Sequence, residues 1–243
     1  MTAEQGIRLE TARSEGLPGW KRALDLLALL IFGPGLVVIG TGVALIVKVG
    51  SKGPVLFRQS RVGYRGKQFV LLKFRTMHLN AETESHRRHL ENLIGDTSAP
   101  MKKLDDSEDP RLIPLGAVLR STGLDELPQF LNVLRGEMSI VGPRPCIPYE
   151  YERYAPHHRK RLDAVPGLTG LWQVSGKNKT TFEEMVQFDV RYAREKTPWL
   201  DIWIMLRTLP ALVEQVRENR AARQRKSTSN AQTFGKSVQS TQL

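Results

Sequence analysis

The sequence predicts an α+β protein: a mainly helical domain with a short β-hairpin, anchored to a membrane by one N-terminal apolar segment and by amphipathic helices lying at the interface. Three observations predict it. Leu26 to Val47 are 22 consecutive residues without a charge. Two short β-rich runs follow on either side of Gly63-Tyr64-Arg65-Gly66. Beyond them, apolar residues recur at helical spacing between Gly and Pro stops.

As a straight helix the apolar segment would reach about 33 Å, enough to cross the hydrocarbon core. It is longer than a secretory signal core and no small-x-small cleavage site follows it. Soluble core helices rarely stay apolar on every face for six turns. Pro34, within Gly33-Pro34-Gly35, removes a helical donor and predicts a bend. Two topologies stay open: a bitopic anchor with a mild kink, and a re-entrant hairpin broken at Pro34 that returns both ends to one side. The hairpin is preferred.

Pro54–Phe57 and Phe69–Leu72 read as the strands of the hairpin. Helices are expected from Pro128 to Leu134, closed by Gly136, and from Thr181 to about Lys196. From Pro198 the run WLDIWIMLRTLPALVEQV is amphipathic, with Trp199, Trp203, Leu206, Leu209 and Leu212 apolar. Its apolar face suits a bilayer surface and a domain core equally well. Residues 1–20 form an N-terminal tail, 21–49 the membrane segment, 50–215 the main domain, and 216–243 a disordered basic and polar tail.

The chain has 243 residues with 36 Lys+Arg against 25 Asp+Glu, a net charge of +11. A mean hydropathy of −0.32 excludes a polytopic transporter. One cysteine, Cys146, excludes an internal disulfide and a multi-cysteine zinc site. The positive surplus calls for anionic partners. Eight cations run from Lys48 to Arg75 without an acidic residue, directly after the apolar segment rather than on a recognition helix, and no nucleic-acid motif is present. P-loop, G-x-G-x-x-G, H-E-x-x-H and G-x-S-x-G patterns are also missing. The acidic run Asp105, Asp106, Glu108, Asp109 and the pair His86, His89 read as solvated surface, because neither repeats a ligand spacing.

The chemistry concentrates between Asp109 and Pro145. Asp125 and Glu126 stand at the start of a helix, where capping alone could account for them. Their surroundings point further. Arg111, Arg120, Arg135 and Arg144 share the block, and Lys73 and Arg75 precede it. Convergent cations at a helix start make a phosphate site. Carboxylates there would repel an anionic substrate unless a divalent cation bridges them, and Mg²⁺ suits one or two carboxylates plus phosphate oxygens. Pro143-Arg144-Pro145 should be stiff and extended, presenting Arg144 at low entropic cost.

With these motifs in order, the sequence resembles the bacterial sugar transferases, the monotopic polyprenyl-phosphate phosphoglycosyl transferases. The resemblance covers roughly Lys21 to Leu212 and rests on GPVLFRQSRVG, KFRTM, DPR, LDELPQFLNVLRGEMSIVGPRP, VPGLTGLWQVSG and WLDIWIMLRT. WQVSG and the chain length are most similar to the subgroup that starts exopolysaccharide repeat units with a hexose-1-phosphate. Larger relatives carry an additional multi-span N-terminal region. The resemblance implies that residues 50–215 are a catalytic domain on the cytoplasmic face of the bacterial inner membrane. It implies Asp125 as nucleophile toward a UDP-sugar, with loss of UMP, and polyprenyl (undecaprenyl) phosphate as the acceptor that resolves a phosphosugar intermediate. Glu126 is implied in metal or acceptor handling, Mg²⁺ at the Asp125–Glu126 dyad, and Pro143-Arg144-Pro145 at the nucleotide phosphates. It implies a re-entrant helix-break-helix with its break at Pro34, and membrane lipids as partners. No nucleic-acid partner follows from it, and a homodimer is compatible with it. The competing class is a membrane-attached binding or scaffold protein that keeps the fold without turnover.

Overall fold

The computed structural model describes residues 16–78, 100, 111–176, 179–214 and 216–217. The tail before residue 16, His86, His89, the acidic run at 105–109 and the polar tail from residue 218 lie outside the described residues.

Helix α1, Gly19–Gly50, contains the whole apolar segment. The helix runs on past Pro34, so the break expected there does not appear as a change of secondary structure. Most of its large apolar side chains are exposed, Leu30 to 76% and Val38 to 73%. A narrow inner stripe meets the domain instead. Near its start, Lys21 and Asp25 are buried and Arg22 donates to the carbonyls of Val133 and Leu134, both at 2.6 Å. Near its end, Val43 and Val47 pack with Phe74, Ile113 and Leu119. Both ends of one long apolar helix therefore sit on the same domain.

Strands β1, Leu56–Val62, and β2, Gln68–Phe74, pair antiparallel with Leu56 opposite Phe74 and Val62 opposite Gln68. They are longer than the sequence suggested because β-pairing carries polar residues such as Gln59 and Ser60 along with the apolar runs. The turn needs positive φ at Arg65 (50°) and Gly66 (79°), which explains the glycine. Phe69, Leu71 and Phe74 face inward. Helix α2, Gly116–Thr122, leads through a 3₁₀ turn, Leu124–Glu126, into α3, Gln129–Arg135, closed by Gly136 at φ 77°.

Strand β3, Ser139–Val141, pairs in parallel with β4, Gly167–Thr169. Short helices α4, Pro148–Glu152, and α5, Pro156–Arg159, lie between them in sequence, and α6, Leu171–Val174, follows β4. Helix α7, Phe182–Glu195, opens on a capping box in which Thr181 and Glu184 bond reciprocally. Its buried Phe182, Met185, Val186, Asp189, Tyr192 and Ala193 follow the helical period. The largest core cluster joins this face to Val62, Ile147, Leu162 and Trp172. Cys146 lies in that cluster as a free thiol, and burial pushes it up to about 11.

Helix α8 spans residues 198–214. It touches the domain through Asp201 and Ile204, while Trp199 (81% exposed), Leu206 and Leu209 point outward. The apolar stripe read from the sequence is thus the outer face, not the packed one.

The β3–β4 pair leaves no room for side chains at its glycines. A Cβ on Gly167 would lie 2.0 Å from the Gly142 nitrogen, whereas one on Gly33 would meet nothing within 4 Å. Gly167→Ala is expected to cost about 3 kcal/mol or to prevent folding. Gly33→Ala is expected to be neutral or slightly stabilising, by up to about 1 kcal/mol. Thermal unfolding of both variants in detergent checks the contrast.

Candidate active site

Asp125 and Glu126 form the 3₁₀ turn that joins α2 to α3. Gly123 makes the reversal at φ 74°, a conformation costly for side chains, and its carbonyl accepts the Glu126 N–H. The N-cap position of α3 is Pro128, and no side chain caps it. Neither carboxylate is therefore the N-cap of that helix; both stand in the 3₁₀ turn that leads into it. Asp125 is buried to 8% exposure, and Glu126 is about one-third exposed. Glu126 Oε1 accepts from Lys73 Nζ at 2.9 Å, joining β2 to the turn.

Arg75 lies just past the end of β2 and makes a different set of contacts from Lys73. Its guanidinium donates to the carbonyls of Ser51, Lys52 and Pro54 and to the Ser51 hydroxyl, at 2.8–3.1 Å. It clasps the chain leaving α1 and is 4% exposed. Arg120 sits in the last turn of α2, just before the dyad. Arg111 precedes α2, and its carbonyl accepts the His78 N–H. Pro34 lies in the middle of α1.

The arm Pro143-Arg144-Pro145 leaves the end of β3. The Pro143 carbonyl accepts the Gly167 N–H at 2.9 Å, and the Gly142 N–H reaches Thr169 O at 2.8 Å. Pro143 and Pro145 are buried, and Arg144 is half-buried. Two buried guanidinium groups hold the arm's next carbonyls. Arg61 Nη1 donates to Pro145 O at 3.1 Å, and Arg161 Nη2 donates to Arg144 O at 3.2 Å. Burial pushes Arg61 down to about 10, with the like charge of Arg144 adding to the effect and Glu150, Cys146 and Glu126 opposing it. Arg61 is thus within electrostatic reach of both Arg144 on the arm and Glu126 of the dyad.

Arg161 sits in a fully buried cluster. It donates to Tyr154 Oη at 2.6 Å and to Asp189 Oδ2, and Tyr154 donates to Glu150 Oε1 at 2.7 Å. Burial works against a charged Glu150, yet Arg144, Arg161, the Tyr154 hydroxyl and Arg61 together hold its carboxyl below the usual range. Asp189 keeps one buried oxygen, Oδ1, without a partner. Burial therefore prevails there and lifts Asp189 to about 6 despite Arg161, so the pair is ionised at neutral pH. Sequence inspection missed Arg61, Glu150, Arg161 and Asp189. Arg61 was hidden in a run of cations, and the other three lie in polar stretches with no motif of their own.

His157, His158 and Glu183 form the one group of three convergent metal-ligating side chains among the described residues. The Ala155 N–H points at His158 Nδ1, so that nitrogen is bare and Nε2 carries the proton that bridges to Glu183 at 3.0 Å. A metal on Nε2 would need the opposite tautomer. The group is a helix cap with a hydrogen bond to Glu183.

Residues 18–215 match a family model described as bacterial sugar transferase, and the chain belongs to the bacterial sugar transferase family. It is 42% identical over 196 residues to the galactosyl transferase CpsE of Streptococcus agalactiae serotype III, covering 79% of this chain and 42% of that protein. It is 39% identical over 198 residues to the exopolysaccharide production protein ExoY of Rhizobium meliloti, 79% of this chain and 84% of ExoY. A UDP-glucose:undecaprenyl-phosphate glucose-1-phosphate transferase of Caulobacter vibrioides is 38% identical over 205 residues, 79% of this chain and 69% of that protein. The chain thus spans less than half the length of the streptococcal relative and most of ExoY.

The raised Asp189 has a signed consequence. The native state keeps a proton that the unfolded chain, with an ordinary value near 3.8, has released. Stability from that proton is complete below about pH 4 and is lost as pH rises through about 6. Asp189→Asn removes this titration. Melting curves from about pH 4 to about pH 7 are expected to show the variant gaining on the parent as pH rises. A constant offset between them would refute the assignment.

Proposed function

We propose that this protein transfers a hexose-1-phosphate from a UDP-sugar to undecaprenyl phosphate, the first membrane step in building an exopolysaccharide. The observation that carries the reading is the buried Asp125 beside Glu126, which accepts from Lys73 at 2.9 Å, in a chain of the bacterial sugar transferase family. A diphosphate bound between arm and dyad would meet cations on one side and a nucleophile on the other. The activities named for the relatives from Caulobacter vibrioides and from Salmonella typhimurium, the latter an undecaprenyl-phosphate galactose phosphotransferase, agree with this substrate pair.

The chemistry follows from a carboxylate that is already charged. An ordinary Asp is ionised at neutral pH and needs no general base to become a nucleophile. An Asp125 carboxylate oxygen attacks the sugar-side phosphorus. The bond to the bridging oxygen breaks, and UMP departs with that oxygen and the electron pair. The phosphosugar stays on Asp125 until an undecaprenyl-phosphate oxygen attacks the same phosphorus and the carboxylate leaves. Lys73, Arg144 and the neighbouring Arg120 offset the charge that builds up at phosphorus. Asp125 and Glu126 offer the hard oxygen donors that Mg²⁺ takes, with substrate phosphate oxygens completing its shell. Lys73 holds one Glu126 oxygen and would have to yield or share it. When bound, the ion would neutralise the repulsion between carboxylate and diphosphate.

The membrane arrangement follows from α1. A bitopic span would place one helix end across the bilayer from the domain, yet Lys21 and Val47 are both buried in it. We therefore read α1 as re-entrant, with both ends on the domain's side. The cations on both flanks support a cytoplasmic location for that side. Exposed Leu131 and Leu134 on α3 and Trp199, Leu206 and Leu209 on α8 would complete the lipid-facing surface.

Two tests follow. Purified protein, Mg²⁺ and UDP-sugars labelled in the sugar are expected to give stoichiometric UMP with label retained on the chain. Asp125→Asn should lower transfer by about a thousandfold or more without loss of membrane association. Product without any adduct would favour direct displacement, and neither product nor adduct across the sugar panel would favour the scaffold reading. For topology, Gly19→Cys and Lys52→Cys should both react with an impermeant thiol reagent added on the cytoplasmic side. Protection of either one overturns the re-entrant reading.

A further inference from the structure

Asp25 is a carboxylate on the flank of an apolar membrane helix, buried to 1% exposure. It does not serve α1 itself. Its Oδ1 accepts the Ser139 hydroxyl and the Ile140 N–H, both at 2.9 Å. In the parallel pair, Ser139 and Val141 are in register with Gly167 and Thr169, so the amide between them points away from β4. A buried amide on that open side needs an acceptor, and Asp25 stands where a third strand would.

What leaves β3 is the arm. Gly142 and Pro143 are already bonded to Thr169 and Gly167, so little slack separates Ile140 from Arg144. Nearby, Arg22 bonds the last carbonyls of α3, the helix that follows the dyad. Lys21 bonds Asp201 at 2.5 Å and Tyr192 at 2.8 Å, docking the helix through hydrogen bonds other than those of Asp25, whose charge nonetheless acts on Lys21.

We infer that Asp25 is a positioning residue for the Pro143-Arg144-Pro145 arm, so that seating of the membrane helix and the geometry of the donor phosphate site are one coupled arrangement. This rests on the reading of the arm as the nucleotide-phosphate site. Helix α1 then does more than hold the domain at the bilayer: its first turns fix the edge of the strand from which Arg144 is presented.

The test is a comparison of Asp25→Ala, Asp25→Asn and Ser139→Ala in the full chain, in nanodiscs. Asp25→Ala should raise the KM for the UDP-sugar about tenfold and leave the undecaprenyl-phosphate KM and kcat within about twofold. Asp25→Asn keeps an amide oxygen for the Ile140 N–H and should recover most of the loss. Ser139→Ala removes one of the two bonds and should move donor KM in the same direction by a smaller factor. It carries the comparison if Asp25→Ala fails to fold. Hydrogen exchange of residues 139–147 should quicken in Asp25→Ala while the core of α7 is unchanged. Equal losses for donor and acceptor, no recovery by asparagine, or unchanged exchange at 139–147 would each overturn the inference. The exchange readout does not depend on turnover. A parent protein that uses no UDP-sugar but shows the exchange response would sink the functional reading alone.

Discussion

A lysine ammonium removed from water demands a counter-charge, and Lys21 sets how the apolar helix meets the domain. Its Nζ lies 2.5 Å from Asp201, and Tyr192 completes the triangle by donating to Asp201 at 2.7 Å. Removing one partner of such a pair strands the other and costs about 3–5 kcal/mol. The pair joins residues 180 positions apart, the start of α1 and the first turn of α8. Because Asp201 faces inward, Trp199, Leu206 and Leu209 are turned out. One desolvated ion pair thus fixes both the docking of the membrane helix and the orientation of the second apolar surface.

The arm depends on a related device. A segment rich in proline has few N–H groups to offer, so strand pairing cannot secure it along its length. Its carbonyls remain, and guanidinium groups are suited to them because a planar fork of donors loses little freedom on binding. Arg61 and Arg161 take two successive carbonyls, those of Pro145 and Arg144. Arg161 is itself charged in a dry interior, and Asp189 and Glu150 balance it. The tight glycine contacts between β3 and β4 complete the fixation, since backbone packed on backbone leaves no free volume for drift.

What the sequence made legible was local. The apolar segment, the hairpin around Gly63–Gly66, the α3 helix ended by Gly136 and the capped α7 helix all announce themselves through runs, stops and caps a few residues long. The dyad and the arm were visible for the same reason, as adjacent carboxylates and a proline-flanked arginine. What stayed hidden depends on partners far away in the chain. Arg75 reads like Lys73, yet one clasps the exit of α1 and the other meets Glu126. Strand alternation alone would put positions two apart on one face, but β2 ends at Phe74 between them, so only the tertiary fold says what each cation meets. Arg161 and Asp189 are unremarkable letters, because their meaning is a 28-residue separation closed by folding. The face of α8 was ambiguous because its apolar stripe suits a core and a bilayer alike.

The net charge of +11 takes on a different sense once these partners are assigned. Arg22, Arg61, Arg75 and Arg161 bond backbone carbonyls and serve the architecture. A mobile surface lysine would attract any polyanion, but its field would follow the anion and relax around it. Arg61 and Arg161 are pinned at both their charge and their geometry, so the potential near Arg144 and Glu126 exists before a ligand arrives. That is the condition under which a cation lowers a barrier rather than merely tightening binding, since no reorganisation is left for the reacting step. On the proposed reading the buried arginines link stability to chemistry: the interactions that close the fold around the arm would also fix the field in which a phosphate reacts.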